Sequence, residues 1–104
     1  MARRPKQKIK DETAEHVADV LKAVAHPVRL KIVELLQHGE MSVNDITDAI
    51  GTKQSITSQQ LNMMKSRGVL ACRREGMKVY YRIENPNVIK LLHCVYDNCQ
   101  DKGR

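Results

Sequence analysis

From Asp11 to Ala25 the chain is helical by pattern, with Val17, Val20, Leu21 and Val24 recurring at three- and four-residue spacing as one apolar stripe. His26-Pro27 breaks this helix; Pro27 suits the first turn of the next, and His26 sits where a cap belongs. From Val28 to His38, Val28, Leu30, Ile32, Val33, Leu35 and Leu36 cover more than half the circumference, which places that helix in the middle of a domain. Gly39 stops it. Ser42, with Asp45 three residues on, predicts the N-cap of a short helix through Ile50, ended by Gly51. A fourth helix opens at Lys53 or Gln54 and runs to Arg67, before Gly68. Between Val69 and Ile83 the period changes to two. Leu70, Cys72, Val79, Tyr81 and Ile83 alternate with Ala71, Arg73, Lys78, Tyr80 and Arg82, predicting a hairpin that turns at Glu75-Gly76. Asn85-Pro86 starts a last helix to Gln100.

Four helices, a hairpin and a fifth helix outline a winged helix-turn-helix, mainly α with a β-hairpin wing. There are no internal repeats. With 104 residues, the chain is expected to form one domain over residues 11–100, with a basic arm at 1–10 and a tail at 101–104. A domain of this size buries only about 60–70% of the surface its unfolded chain exposes. With no Phe and no Trp, its core is expected from Leu, Ile, Val, Ala and Met. Such a core is thin for a monomer and favours burying further apolar surface in a dimer.

The net charge of +6 suits an anionic partner, either nucleic acid or an acidic membrane surface. Arg3, Arg4, Lys6, Lys8 and Lys10 crowd the N-terminus around Pro5, as a solvated arm or as one that touches DNA. No apolar run approaches the roughly 20 residues that span a bilayer, and no apolar segment follows the basic start as in a secretion signal. The odd count of three cysteines fits a reducing compartment, so a cytoplasmic protein without a membrane partner is expected. No Gly-rich phosphate loop, paired carboxylates or Cys/His pair points to an enzyme.

At 100° per residue the fourth helix divides into two sides. Ile56, Thr57, Leu61, Met63 and Met64, with Gln60 among them, face Val33, Leu36 and Ile46. Gln54, Ser55, Ser58, Gln59, Asn62 and Lys65 form the other side, a compact set of hydrogen-bonding groups. Gln and Asn can bond both N6 and N7 on the major-groove edge of adenine, and Ser and Lys suit phosphates and bases more loosely. The N-terminal residues of such a helix reach deepest, which favours Gln54, Ser55, Ser58 and Gln59. In the hairpin, Arg73, Arg74 and Lys78 suit backbone phosphates or a minor groove. The partner expected is double-stranded DNA. A winged-helix module that binds protein and no DNA is the reading from another class; it predicts that the polar side of Gln54–Lys65 tolerates change.

The segments LKAVAHPVRLKIVELLQHGEMSVNDITDAIG, Ser55 to Leu70 and RREGMKVYYRI together resemble the ArsR–SmtB family of bacterial repressors over residues 14–100. AHPVRLKIVELL and the REGMKVYYRI wing are the most specific parts. The resemblance implies a winged-helix homodimer joined through its first and last helices. It also implies an inverted-repeat operator and release by an inducer. The apolar stripes agree: Val88, Leu91, Leu92 and Val95, with Ile89, Tyr96 and Cys99, share one face of the last helix, matching Val17, Val20, Leu21 and Val24.

The family's inducer sites are where the chain departs. The arsenic-type CxC before the recognition helix corresponds to Ser42-Val43-Asn44-Asp45-Ile46, without cysteine. The zinc-type positions correspond to Glu84, Pro86, Asp97 and Gln100, without histidine. The second-helix cysteine of persulfide sensors corresponds to Glu34. Cys94 and Cys99 of the last helix remain as candidates for As(III), Sb(III) or a soft divalent ion, thiolates being soft ligands. Five helical residues put them about 140° and some 8–9 Å apart, beyond the roughly 7 Å reach of an unstrained disulfide. Sharing an ion needs a frayed helix end or cysteines from both subunits; thiol oxidation is the competing reading. Cys94 lies on the polar side with Asp97 and His93, a possible auxiliary ligand. Cys72, alternating with Leu70 opposite Val79, acts as a small apolar residue.

Overall fold

The computed structural model describes residues 9–100, with side chains through Asp97. Arg3, Arg4, Lys6 and Lys8 of the expected arm, and the tail at 101–104, lie outside the described residues. The elements run α1 (Asp11–Val24), α2 (Pro27–Leu36), β1 (Met41–Ser42), α3 (Val43–Ile50), α4 (Gln54–Ser66), β2 (Leu70–Glu75), β3 (Lys78–Ile83) and α5 (Asn87–Gln100).

Local chemistry sets the boundaries. Asp11 and Glu12 occupy the first turn of α1 and Lys22 the last, complementing its dipole. At the start of α2 the Val28 N–H donates to His26 Nδ1 at 3.1 Å, and Pro27 occupies the first turn, where no backbone donor is missed. The Asp45 N–H donates to Ser42 Oγ at 3.1 Å to start α3. Gly51 ends α3 at φ +78° and turns the chain into α4.

α2 is the central helix: Ile32, Val33 and Leu36 pack with Ile46 of α3, Leu61 and Met64 of α4, and Ala23 and Val24 of α1. Val69, Leu70, Tyr81 and Val88 close the core. The purely aliphatic core expected from composition is therefore corrected by Tyr81, which is 5% exposed. A tyrosine tolerates such burial when its hydroxyl is bonded, and Tyr81 Oη donates to Asn62 Oδ1 at 3.1 Å.

The sheet has three strands in the order β1-β3-β2. β1, only two residues long, pairs Met41 with Tyr81 and Ser42 with Tyr80. Glu75 pairs with Lys78, so the hairpin turns at Gly76-Met77, one residue later than expected. Gly76 has φ +63°, the positive value that a two-residue hairpin loop needs at its first central position. Cys72 consequently lies opposite Tyr81, and Val79 opposite Arg74. A second correction concerns Ile56, which is 39% exposed. Thr57, Leu61 and Met64 take the buried side of α4, and Ile56 lies about 100° round from them, at the rim.

At Gly51 an added Cβ would meet nothing within 4 Å, so only backbone conformation opposes a side chain there. Gly51→Ala is expected to lower stability by about 1–2 kcal/mol in urea denaturation, without displacing α4. No loss would remove the left-handed turn from the account.

Candidate nucleic-acid interface

The geometry of α4 follows from its buried side. With Thr57, Leu61 and Met64 sealed in the core, Gln54, Ser55, Gln59, Asn62 and Lys65 are exposed and Ser58 is half-buried. The start of α3, the first turns of α4 and the wing meet there. Gln54 and Ser58 share a notch of about 190 Å³ with Asn44, Met77 and Lys78. The structure thus brings part of the polar face of α4 together with Lys78. Met77 at the wing tip is 96% exposed, and Arg74 is exposed beside it.

Arg73 is placed differently from its neighbours. Its Nε donates to both carboxylate oxygens of Glu40, at 2.9 and 3.2 Å, and its Nη1 to Glu75 at 2.6 Å. The guanidinium also lies 4.7 Å from the centre of the Tyr80 ring. It braces the wing against the loop before β1. The hydrogen bond from Arg73 holds the Glu40 carboxyl below its ordinary range, and the bonds to Glu40 and Glu75 raise Arg73 further above its own. Asn62 likewise has an internal partner in Tyr81, whose phenol burial pushes upward. Neither tie was visible in the sequence, because each joins residues far apart along the chain.

A second surface lies on α1 and α5. Val17, Leu21, Leu91, Val95 and Tyr96 are each 40–51% exposed. Val24 and Val88 are buried in the core, while Val20 and Leu92 are partly buried against it. Leu21, Leu91, Val95 and Tyr96, with Leu30 of α2, line an apolar trough of about 510 Å³.

The described thiols lie on different elements. Cys72 is half-buried in the wing and Cys94 is exposed on α5; the Cys99 side chain lies outside the described residues. His93 turns its Nε2 to Gln37 Oε1 at 2.8 Å, tying α5 to the end of α2. Among the described residues, no group of three His, Cys, Asp or Glu is placed to hold a metal ion.

The family described as bacterial regulatory protein, arsR family, matches residues 26–71. Over 90 residues the chain is 43% identical to the transcriptional repressor PagR of Bacillus anthracis, spanning 83% of this chain and 90% of PagR. The solution structure of the homodimeric winged helix-turn-helix DNA-binding domain Mb0332 from Mycobacterium bovis is similar at a TM-score of 0.78 and 34% identity. It covers 95% of this chain and 92% of that one. The antimony-specific transcriptional repressor AntR is similar at a TM-score of 0.80 and 28% identity, covering 92% of this chain and 90% of AntR. These relatives and this fold are those of DNA-binding regulators and not of enzymes.

Because the Glu40 carboxyl is stabilised as its anion, its pairing with Arg73 holds at neutral pH and is lost as pH falls through the lowered folded value. Carboxyl NMR titration should place the Glu40 midpoint below the ordinary glutamate value of about 4.3. Arg73→Met should return it toward that value. An unshifted midpoint in the parent protein would dissolve the brace.

Proposed function

The chain belongs to the arsR family of bacterial regulatory proteins, and on that premise we propose a homodimeric repressor that leaves an inverted-repeat operator when a thiol-reactive inducer arrives. The observation carrying the DNA-binding part is the junction of Gln54 and Ser58 of α4 with Lys78 of the wing around one notch. Base-reading amides and a phosphate-seeking ammonium face the same side, as a duplex requires. Gln54, Ser55, Ser58 and Gln59 enter the major groove, with Asn62 and Lys65 farther along the helix. Asn62 keeps its amide N–H groups and one lone pair of its oxygen for a base, the other accepting from Tyr81. Arg74 and Lys78 meet backbone phosphates, while Arg73 holds the wing in position.

The exposed apolar residues of α1 and α5 support a dimer through those helices, as does the homodimeric state of the Mycobacterium bovis relative. Repression rests on PagR and AntR, both repressors. No described helix is long and apolar enough to cross a membrane, and the proposed work is done in the cytoplasm.

The inducer proposed is As(III), Sb(III) or a soft divalent metal ion acting on α5 through Cys94 and Cys99. AntR's antimony specificity and the exposure of Cys94 support it. Thiol oxidation at the exposed Cys94 is the second reading.

Fluorescence anisotropy on an operator selected from random duplexes tests both parts. Gln54→Ala or Gln59→Ala is expected to weaken specific binding by about 1–3 kcal/mol each. Arg74→Ala or Lys78→Ala should instead weaken binding to every duplex and flatten its salt dependence. Equal losses on operator and random DNA for the glutamine variants would remove base reading.

In the same assay As(III), Sb(III) or Cd(II) is expected to release the reduced protein and to leave the Cys94→Ser variant bound. Release by peroxide alone would select oxidation. Retention under every treatment would remove the thiol from the mechanism.

A further inference from the structure

Arg29 sits in the first turns of α2, between the helix proposed to form the dimer and the helix proposed to read DNA. Its Nη1 donates to Gln60 Oε1 of α4 at 2.8 Å, and its Nη2 to the Lys22 carbonyl in the last turn of α1 at 3.3 Å. Its Nε is buried and has no partner among the described residues. The planar fork commits one nitrogen to each neighbouring helix, which a lysine ammonium on a flexible stem would not do with fixed geometry. A second tie joins the same two helices, because Arg67 at the end of α4 lies 3.5 Å from Asp19 of α1.

The placement along each helix matters. Lys22 follows Leu21, and Asp19 lies between Val17 and Leu21, the exposed apolar residues of α1. Gln60 follows Gln59 but lies on the side of α4 turned away from its polar face. Each tie therefore runs from the back of one proposed contact surface to the back of the other. Apolar packing between α1 and α4 is non-directional and tolerates small sliding and rotation, whereas a hydrogen bond holds distance and angle together.

We infer that Arg29 and Arg67 are positioning residues that fix the recognition helix against the interface helix and so set the half-site spacing the dimer accepts. This rests on the proposed binding of an inverted repeat as a homodimer. In such a complex the two recognition helices must enter successive major grooves about 34–36 Å apart. That separation is transmitted from α1 to α4 within each protomer. Loosening the tie should widen the range of accepted spacings and leave dimerisation and backbone contact intact.

The test measures anisotropy on the selected operator with its half-sites moved by −1, 0, +1 and +2 base pairs, and on random duplex, with sedimentation equilibrium for the dimer. The parent protein should prefer its own spacing by about tenfold or more. Arg29→Met and Gln60→Leu should each compress that preference to within about threefold, with random-duplex binding and dimerisation unchanged. Gln60→Glu, which restores a charge-assisted partner for Arg29, should keep the parental preference. Arg67→Met, altering an exposed pair, provides an independent arm should Arg29→Met fail to fold. Variants that lose affinity equally at every spacing, or keep the parental preference, would overturn the inference and reduce the two arginines to ordinary stabilising contacts. A parent protein that binds no inverted repeat would overturn the functional proposal itself, before any variant is compared.

Discussion

The burial of one narrow stripe of α4 is the constraint on which the rest depends. Thr57, Leu61 and Met64 are fully buried, and they occupy a single side of the helix. Sealing the leucine and the methionine contributes about 1.5–3 kcal/mol each. Against this, the Thr57 hydroxyl is buried with no partner among the described residues, at a cost of about 1–3 kcal/mol. The two larger side chains decide the rotation, because turning α4 by one residue toward its polar face would expose them and bury Gln54 or Ser58. The outward polar face is thus a consequence of the inward apolar one.

Three arginines, Arg29, Arg67 and Arg73, are tied within the protein, and their commitment shapes the surface left over. Arg73 is engaged by Glu40, Glu75 and the Tyr80 ring, and Arg29 by α1 and α4. Arg74, Lys78 and Lys65 stay exposed around the recognition helix and wing. Tyr81 links the same two parts: it lies in the strand that pairs with both β1 and β2, and its hydroxyl reaches Asn62 of α4. Helix and wing are therefore tied directly to each other. In the proposed complex a duplex meets a surface already held together, which limits the ordering cost of binding.

The helices were legible because each carries a periodic stripe bounded by strong local signals. His26-Pro27, Ser42 with Asp45, and Gly51 act within a few residues, and each appears where its chemistry demands. The hairpin's faces were legible while its register was not. Moving the turn by one residue moves the pairing by two, and a shift of two leaves every side chain on its original face. Alternation cannot register that difference; the conformation of Gly76 decides it. β1, with two residues, is too short to show a period. On the candidate site, the polar face of α4 was readable from angular arithmetic alone. The brace on Arg73 and the tie from Tyr81 to Asn62 were not, since they depend on which distant residues the fold brings together. Ile56 shows the limit of hydrophobicity as a guide, an apolar residue placed at the rim by the angle of its neighbours.

The central claim is that the N-terminal half of α4 and the wing tip form one DNA-binding surface. Amide chemical-shift mapping of the labelled protein, titrated with a duplex selected from a random pool, tests it most directly. The account predicts perturbations concentrated over Gln54–Asn62 and Arg74–Lys78, with smaller changes elsewhere. Perturbations centred on α2 and α5, with those two segments unmoved, would contradict it.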